Sequence, residues 1–155
     1  FTKNTGVKTF EAAATLRKSG VDIGRVKGLF SDTLDDFKLK AETIKTAEIF
    51  EDGFAIAVSP SEGVDSPTIV AAQVANELLN IKGVRASFVL VDYNGKIYVS
   101  ARSKGNVNVQ IIMERMGGGG HMNVAGAQLE GTPMDEALRK VKQTVGRMIE
   151  EGTLK

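Results

Sequence analysis

The sequence predicts an α/β (α+β) chain: a central mixed β-sheet of about four to five strands, flanked by helices and preceded by a helical segment. Three observations predict it. Beyond about residue 53, short runs rich in Val, Ile and Phe alternate with longer stretches of helical period. Asn94-Gly95, the dipeptide most favoured in two-residue hairpins, separates two strand-like runs. Ser66-Pro67 and Thr132-Pro133 each stand where an apolar helix would start.

In chain order, Phe10 to Lys18 reads as a helix with Thr9 as N-cap and Gly20 as its stop, and a second short helix follows from about Ile23 to Phe30. Asp32 or Thr33 through about Phe50 reads as a longer, charge-rich helix. Its apolar stripe of Leu34, Phe37, Ala41, Ile44 and Ile49 is narrow, as in a connector between domains. Phe54 to Val58 is a strand, and Pro67 to about Leu79 a helix with Ser66 at its N-cap. Ala86 to Tyr93 and Lys96 to Ser103 flank the Asn-Gly turn as a hairpin. Val107 to Met116 carries Val109, Ile112, Met113 and Met116 on one helical face, with Asn106 the simplest N-cap and Asn108 a solvated first-turn residue. A strand near Ala125 to Leu129 and a final helix with Met134, Leu138, Val141, Val145 and Met148 at three- or four-residue spacing complete the pattern.

Composition narrows the function. Among 155 residues, 42% are hydrophobic, enough to bury a core and to exclude wholesale disorder. Twenty Lys and Arg against 19 Asp and Glu give +1, too nearly neutral for a surface that clamps a nucleic-acid duplex, so any anion site is local. Zero Cys excludes disulfides, thiolate zinc sites and thiol catalysis, and fits a reducing compartment. One His and no clustered carboxylates leave little for a metal centre. No apolar run approaches the roughly 20 residues that span a bilayer, so the expectation is a soluble chain without direct membrane contact. The opening Phe1, in a polar stretch without an initiator Met, suggests a piece of something longer.

Gly117-Gly118-Gly119-Gly120-His121 places the sole His directly after four of the 17 glycines. One glycine caps a helix. Four in a row give up about 1 kcal/mol each relative to Ala, which implies that something approaches this backbone closely. Bare amides can converge on an anion, and an imidazole beside them can hydrogen-bond a phosphate or move a proton. A flexible loop with a bystander His is the other reading. No Lys-Ser/Thr pair follows, so this is not a nucleoside-triphosphate loop.

The pleat of the outgoing hairpin strand supplies a second candidate. Ile97, Val99 and Ala101 fall on one side and look like core; Tyr98, Ser100 and Arg102 fall on the other, with Ser103 and Lys104 at the exit. A guanidinium fork suits phosphate, although an ordinary solvated strand face would look the same. Between Lys82 and Arg115 six basic residues stand against two acidic ones, a local +4 consistent with an anion site.

The run from Asn106 through Gly-Gly-Gly-Gly-His121, with Ser100-Ala-Arg-Ser103 ahead of it and Ala125 after it, resembles the DHH-associated domain of DHH-superfamily phosphoesterases. More narrowly it resembles the C-terminal end of the membrane-anchored cyclic-di-AMP phosphodiesterases, and Phe1 to Arg17 resembles the last stretch of their catalytic DHH domain. The resemblance implies residues 1–31 as a remnant of the DHH domain, 32–51 as a linker helix, and 52–155 as the associated, substrate-binding domain. It implies a manganese-dependent hydrolysis of cyclic-di-AMP to pApA, with the metals held in the missing DHH domain and no catalytic residue in this chain. His121 and Gly118, Gly119 and Gly120 would hold a phosphate, Arg102 a phosphate or its neighbour, and Ser103 and Asn108 would be weaker substrate contacts. The implied partners are a cyclic dinucleotide or short oligonucleotide and the missing DHH domain, with a second copy of the chain as a candidate. The implied location is the cytoplasmic side of a membrane-anchored parent. On its own the chain is expected to bind nucleotide without hydrolysis. Two other readings stand beside this one: an RNA or short-oligonucleotide module of an exonuclease of the same superfamily, against which two Tyr and no Trp leave few stacking platforms, and an interaction domain whose glycine loop is incidental.

Overall fold

A computed structural model describes residues 5–154; the polar opening Phe1 to Asn4, with its share of the resemblance, and Lys155 lie outside the described residues. The chain divides into two compact units, one up to Thr33 and one from Leu34.

The first unit holds α1 (Val7–Lys18) and α2 (Ile23–Gly28). The alanine-rich run extends the first helix back to Val7, so Gly6 and not Thr9 stands at its N-cap. Gly20, at φ 93°, lets the chain turn so that the Val21 N–H donates to the Leu16 carbonyl. Asp22 caps α2, its carboxylate accepting from the Gly24 N–H at 2.7 Å. No residue of either helix is buried.

The second unit begins with α3 (Leu34–Lys45), followed by β1 (Glu48–Phe50), β2 (Phe54–Ser59) and α4 (Pro67–Leu78). The charge-rich helix was expected to run on to Phe50. It stops because Thr46 is spent otherwise: its hydroxyl bonds the Thr43 carbonyl at 2.8 Å and accepts from the Val58 N–H at 3.0 Å, tying the helix end to β2. Ile49 and Phe50 then extend as a strand, a tertiary effect invisible to helical periodicity. Proline at the start of α4 stands as expected, but Ser66 makes no side-chain cap bond.

β3 (Ala86–Tyr93) and β4 (Lys96–Ser103) form the hairpin with the expected bounds, and Asn94 and Gly95 both take positive φ, 53° and 74°. α5 (Val109–Glu114) is shorter than its periodicity suggests, and Asn108, not Asn106, caps it by accepting from the Gln110 N–H. β5 (Gly119–His121), β6 (Val124–Glu130) and α6 (Met134–Glu150) complete the unit. The glycine run, expected to be a loop, thus ends as an edge strand.

The sheet is mixed and has six strands in the order β1-β2-β3-β4-β6-β5, parallel only between β2 and β3. One face packs Phe54, Phe88, Leu90, Ile97, Val99, Ala125 and Leu129 against Ile112 and Met113 of α5 and Val141, Val145 and Met148 of α6. The other packs Ala55, Ala57, Val89 and Val91 against Leu39 of α3 and Val70, Val74 and Leu78 of α4. The strands record how far each cover extends: the first six residues of β3 are all buried, whereas β4 and β6 alternate buried with part-exposed or exposed residues. The α3–α4 cover ends at Tyr98, and beyond it the second face lies open.

Candidate functional site

Cross-strand register puts the open face in three rows, because residues directly opposite one another in an antiparallel pair project to the same side. Arg102 of β4 stands opposite Val124 of β6, which stands opposite His121 of β5. The next row is Ser100, Gly126 and Gly119. The third is Tyr98 opposite Gln128. The guanidinium and imidazole therefore belong to one face, two strand spacings or about 10 Å apart at their backbones. A cleft of about 380 Å³ lies over the second and third rows, lined by Thr68 of α4, Tyr98, Ser100, Gly117, Gly118, Gly126 and Gln128 among others. That volume falls in the range of small-molecule clefts, about 300 to 1,000 Å³.

The four glycines have separate causes. Gly117, at φ 81°, ends α5, where the Gly118 N–H donates to the Met113 carbonyl at 2.8 Å. A Cβ on Gly118 would lie 2.1 Å from the Gly126 carbonyl oxygen, and one on Gly120 would lie 2.5 Å from both the Val124 oxygen and the Ala125 Cα. What approaches this backbone at those two positions is the protein's own strand β6, so packing does account for much of the run. Gly119 differs: its φ is ordinary and a Cβ there would meet nothing within 4 Å. It is the one glycine of the four that neither backbone conformation nor close packing requires, and it sits in the floor row of the open face.

Arg102 is part-buried, and the one hydrogen bond of its guanidinium among the described residues goes to the Ala101 carbonyl at 2.9 Å. Among the described residues no carboxylate pairs with it. Burial pulls its pKa down from the usual arginine value, since desolvation disfavours the charge. An anion beside it on the open face would replace the lost water. His121 is exposed. It lies on the edge strand, where one row of main-chain N–H and C=O groups has no partner strand.

Ser103 and Asn108 are placed elsewhere. Ser103 projects to the α5–α6 face and is 93% buried, its hydroxyl donating to the Val107 carbonyl at 2.7 Å and accepting from the Asn123 amide at 3.0 Å. It braces the turn that carries His121. Asn108 spends its side-chain oxygen on the α5 cap.

The local charge excess is also rearranged by folding. Arg115 pairs with Glu151 at 2.7 Å and Lys96 with Glu130 at 2.5 Å, two carboxylates that lie outside the 82–115 window. Lys104 caps α4 through the Leu79 carbonyl, and Arg85 bonds the Asp52 carbonyl and lies over the Phe54 ring. Those four are spent on distant partners, whereas the one hydrogen bond of the Arg102 guanidinium among the described residues is to the carbonyl of its own neighbour Ala101. The residues that a linear reading missed as site members are Val124, Gly126 and Gln128, and Thr68. The alternation of β6 could have found the first three; the approach of α4 is a tertiary fact.

The sequence matches the DHHA1 domain over residues 51–147. It is 40% identical over 98% of its length to cyclic-di-AMP phosphodiesterase GdpP of Geobacillus thermodenitrificans, and 39% identical over 91% to cyclic-di-AMP phosphodiesterase PdeA of Listeria monocytogenes. The chain spans only 23% and 22% of the lengths of those relatives. The fold recurs in an exopolyphosphatase-related protein from Bacteroides fragilis, with a TM-score of 0.79 at 21% identity over 93% of this chain and 44% of that one.

Proposed function

The chain belongs to the DHHA1 domain family, and on that premise we propose that its open sheet face is the substrate-binding half of a phosphodiesterase that converts cyclic-di-AMP to pApA. One observation carries this reading. Arg102 and His121 project from one side of the sheet around Val124, and the guanidinium there is part-buried with no carboxylate among the described residues to neutralise it. Relatives named as cyclic-di-AMP phosphodiesterases supply the substrate class.

The chain's own residues bind and orient. The Arg102 fork takes two oxygens of one phosphate, His121 donates to a third position from the edge strand, and the bare Gly119 lets the ligand come down to the main chain. The resemblance implies manganese, whose chemistry is to polarise phosphate and activate water. The residues of this chain do not fit it: among the described residues no three His, Asp or Glu side chains gather to hold an ion. In this reading hydrolysis belongs to the part of the relatives' length that this chain does not span, and the 155-residue chain binds without turning over.

Titration of the 155-residue chain with cyclic-di-AMP and with pApA tests the proposal. Binding that weakens at least about tenfold in Arg102→Ala, with no hydrolysis in manganese-containing buffer, supports it. Wild-type affinity in Arg102→Ala, or turnover by the chain alone, overturns it.

A further inference from the structure

Asn94 is the one asparagine of the chain's seven that a glycine follows; the other six precede Thr5, Glu77, Ile81, Val107, Val109 and Val124. The main-chain nitrogen after an asparagine can attack that asparagine's own side-chain carbonyl, and only glycine leaves the approach free of a side chain. The fold keeps this pair open to solvent. Asn94 and Gly95 are both exposed, and a Cβ on Gly95 would meet nothing within 4 Å. Among the described residues neither the Asn94 side-chain amide nor the Gly95 N–H makes a hydrogen bond. Tyr93 and Lys96, the last register pair of β3 and β4, are what hold the turn.

We infer that the hairpin tip Asn94-Gly95 is a spontaneous modification site, at which the asparagine amide is lost through a cyclic imide. The Gly95 nitrogen bonds to the Asn94 side-chain carbonyl carbon, the carbon–nitrogen bond of the amide breaks, and ammonia leaves with the proton given up by the Gly95 N–H. Water from solvent then opens the imide at either carbonyl. Opening at the side-chain carbonyl gives aspartate in an unaltered main chain. Opening at the other routes the main chain through the side chain and gives isoaspartate. Water enters, ammonia departs, and the formal net charge falls from +1 to 0.

The turn makes the two products unequal. Asn94 and Gly95 take φ of 53° and 74°, and Asp-Gly suits such a turn as Asn-Gly does, so aspartate is accommodated. Isoaspartate adds a carbon to the main chain, and Tyr93 and Lys96 then no longer meet across a two-residue connection. The turn also gates the reaction. Ring closure brings the Asn94 side-chain carbonyl carbon and the Gly95 nitrogen to one side of the intervening Cα–C bond, whereas a turn with both φ positive sets them apart. The imide therefore forms when the hairpin tip opens locally.

Ageing the 155-residue chain in warm, mildly alkaline buffer, with and without urea, tests the site, read by ion exchange and by mass spectrometry of its peptides. Asn94 is expected to convert before any other asparagine, and faster in urea than in buffer. Asn94→Gly, whose Gly-Gly pair also suits the turn, is expected to lose the new acidic species. The isoaspartate form, isolated by ion exchange, is expected to melt several degrees below the unaged chain, while Asn94→Asp melts with it. Earlier conversion at another asparagine, or an acidic species that persists unchanged in Asn94→Gly, overturns the site. Equal rates in buffer and urea overturn the gating by the turn, and an isoaspartate form that melts with the unaged chain overturns the inequality of the products.

Discussion

Arg102 of β4 and His121 of β5 have one cross-strand neighbour in common, Val124 of β6, so the two side chains rise from the same side of the sheet with a single half-exposed valine between them. No other arrangement of these strands would serve. A one-residue slip of β6 against β4 would turn Val124 away and leave the guanidinium opposite a core alanine.

If both groups hold one phosphate, their contributions are coupled. A double-mutant cycle of Arg102→Ala and His121→Ala, read by titration with pApA, is expected to give a double mutant no more than slightly weaker than Arg102→Ala alone. The interaction energy should fall between about 0.5 and 3 kcal/mol. Strict additivity would mean that the two side chains serve separate ligands.

The glycines separate stability from binding. Gly118→Ala and Gly120→Ala force a Cβ against β6 and should each lower stability by about 1 to 3 kcal/mol, seen as a fall in denaturation midpoint. Gly119→Ala should leave the midpoint within about 0.5 kcal/mol while weakening nucleotide binding. A stability loss at Gly119 equal to that at Gly118 would show that its role is packing.

Ser103→Ala removes a buried hydroxyl that donates to Val107 and accepts from Asn123. The expected cost is about 1 to 3 kcal/mol in chemical denaturation, because the freed partners lose their bonds out of water. Because Ser103 projects away from the cleft, nucleotide affinity should change less than in Arg102→Ala. A larger loss of binding than of stability would mean that the hydroxyl touches ligand.

Binding should be weakly salt-dependent. If Arg102 is the cation that meets phosphate on the open face, the log–log slope of affinity against salt should be near that of one or two phosphate contacts, about −1. A slope several times steeper would favour an extended RNA footprint.

The Lys96–Glu130 pair gives a small pH dependence of stability. The hydrogen bond and charge of Lys96 hold the Glu130 carboxyl below its ordinary value of 4.5. A lowered folded-state pKa stabilises fully above that ordinary value and is lost as pH falls through the folded one. The same pair raises Lys96 above 10.5, so its contribution is also lost at strongly alkaline pH. Glu130→Gln should therefore lower the melting temperature slightly at neutrality and flatten its decline below about pH 4.5 to the same small extent, both effects being small because the two groups are exposed and screened. An unchanged acid limb would mean that the pair contributes nothing.

Much of the fold was legible because its signals are local. Asn94-Gly95 needs only positive φ at two neighbours, and the bounds of β3 and β4 follow from it. The α6 stripe needs only its own period, and Val141, Val145 and Met148 are all buried as that period requires. The failures share one cause. The helix expected through Phe50 was ended by Thr46 bonding to β2, the glycine run became a strand by pairing with β6, and Glu130 and Glu151 from outside the window took up two of its basic residues.

The sequence by itself determined the strand pleat that aims Arg102 off the core face, and the glycine run that sets a lone imidazole beside main chain without side chains. Only the tertiary structure decided that β6 lies between β4 and β5 and so brings the two to one face. It also decided which glycines are needed for packing and which one is not, and that α3 and α4 leave that part of the sheet uncovered. The physical reason is range: φ, periodicity and pleat act over a few residues, whereas register, cover and charge neutralisation join residues tens of positions apart.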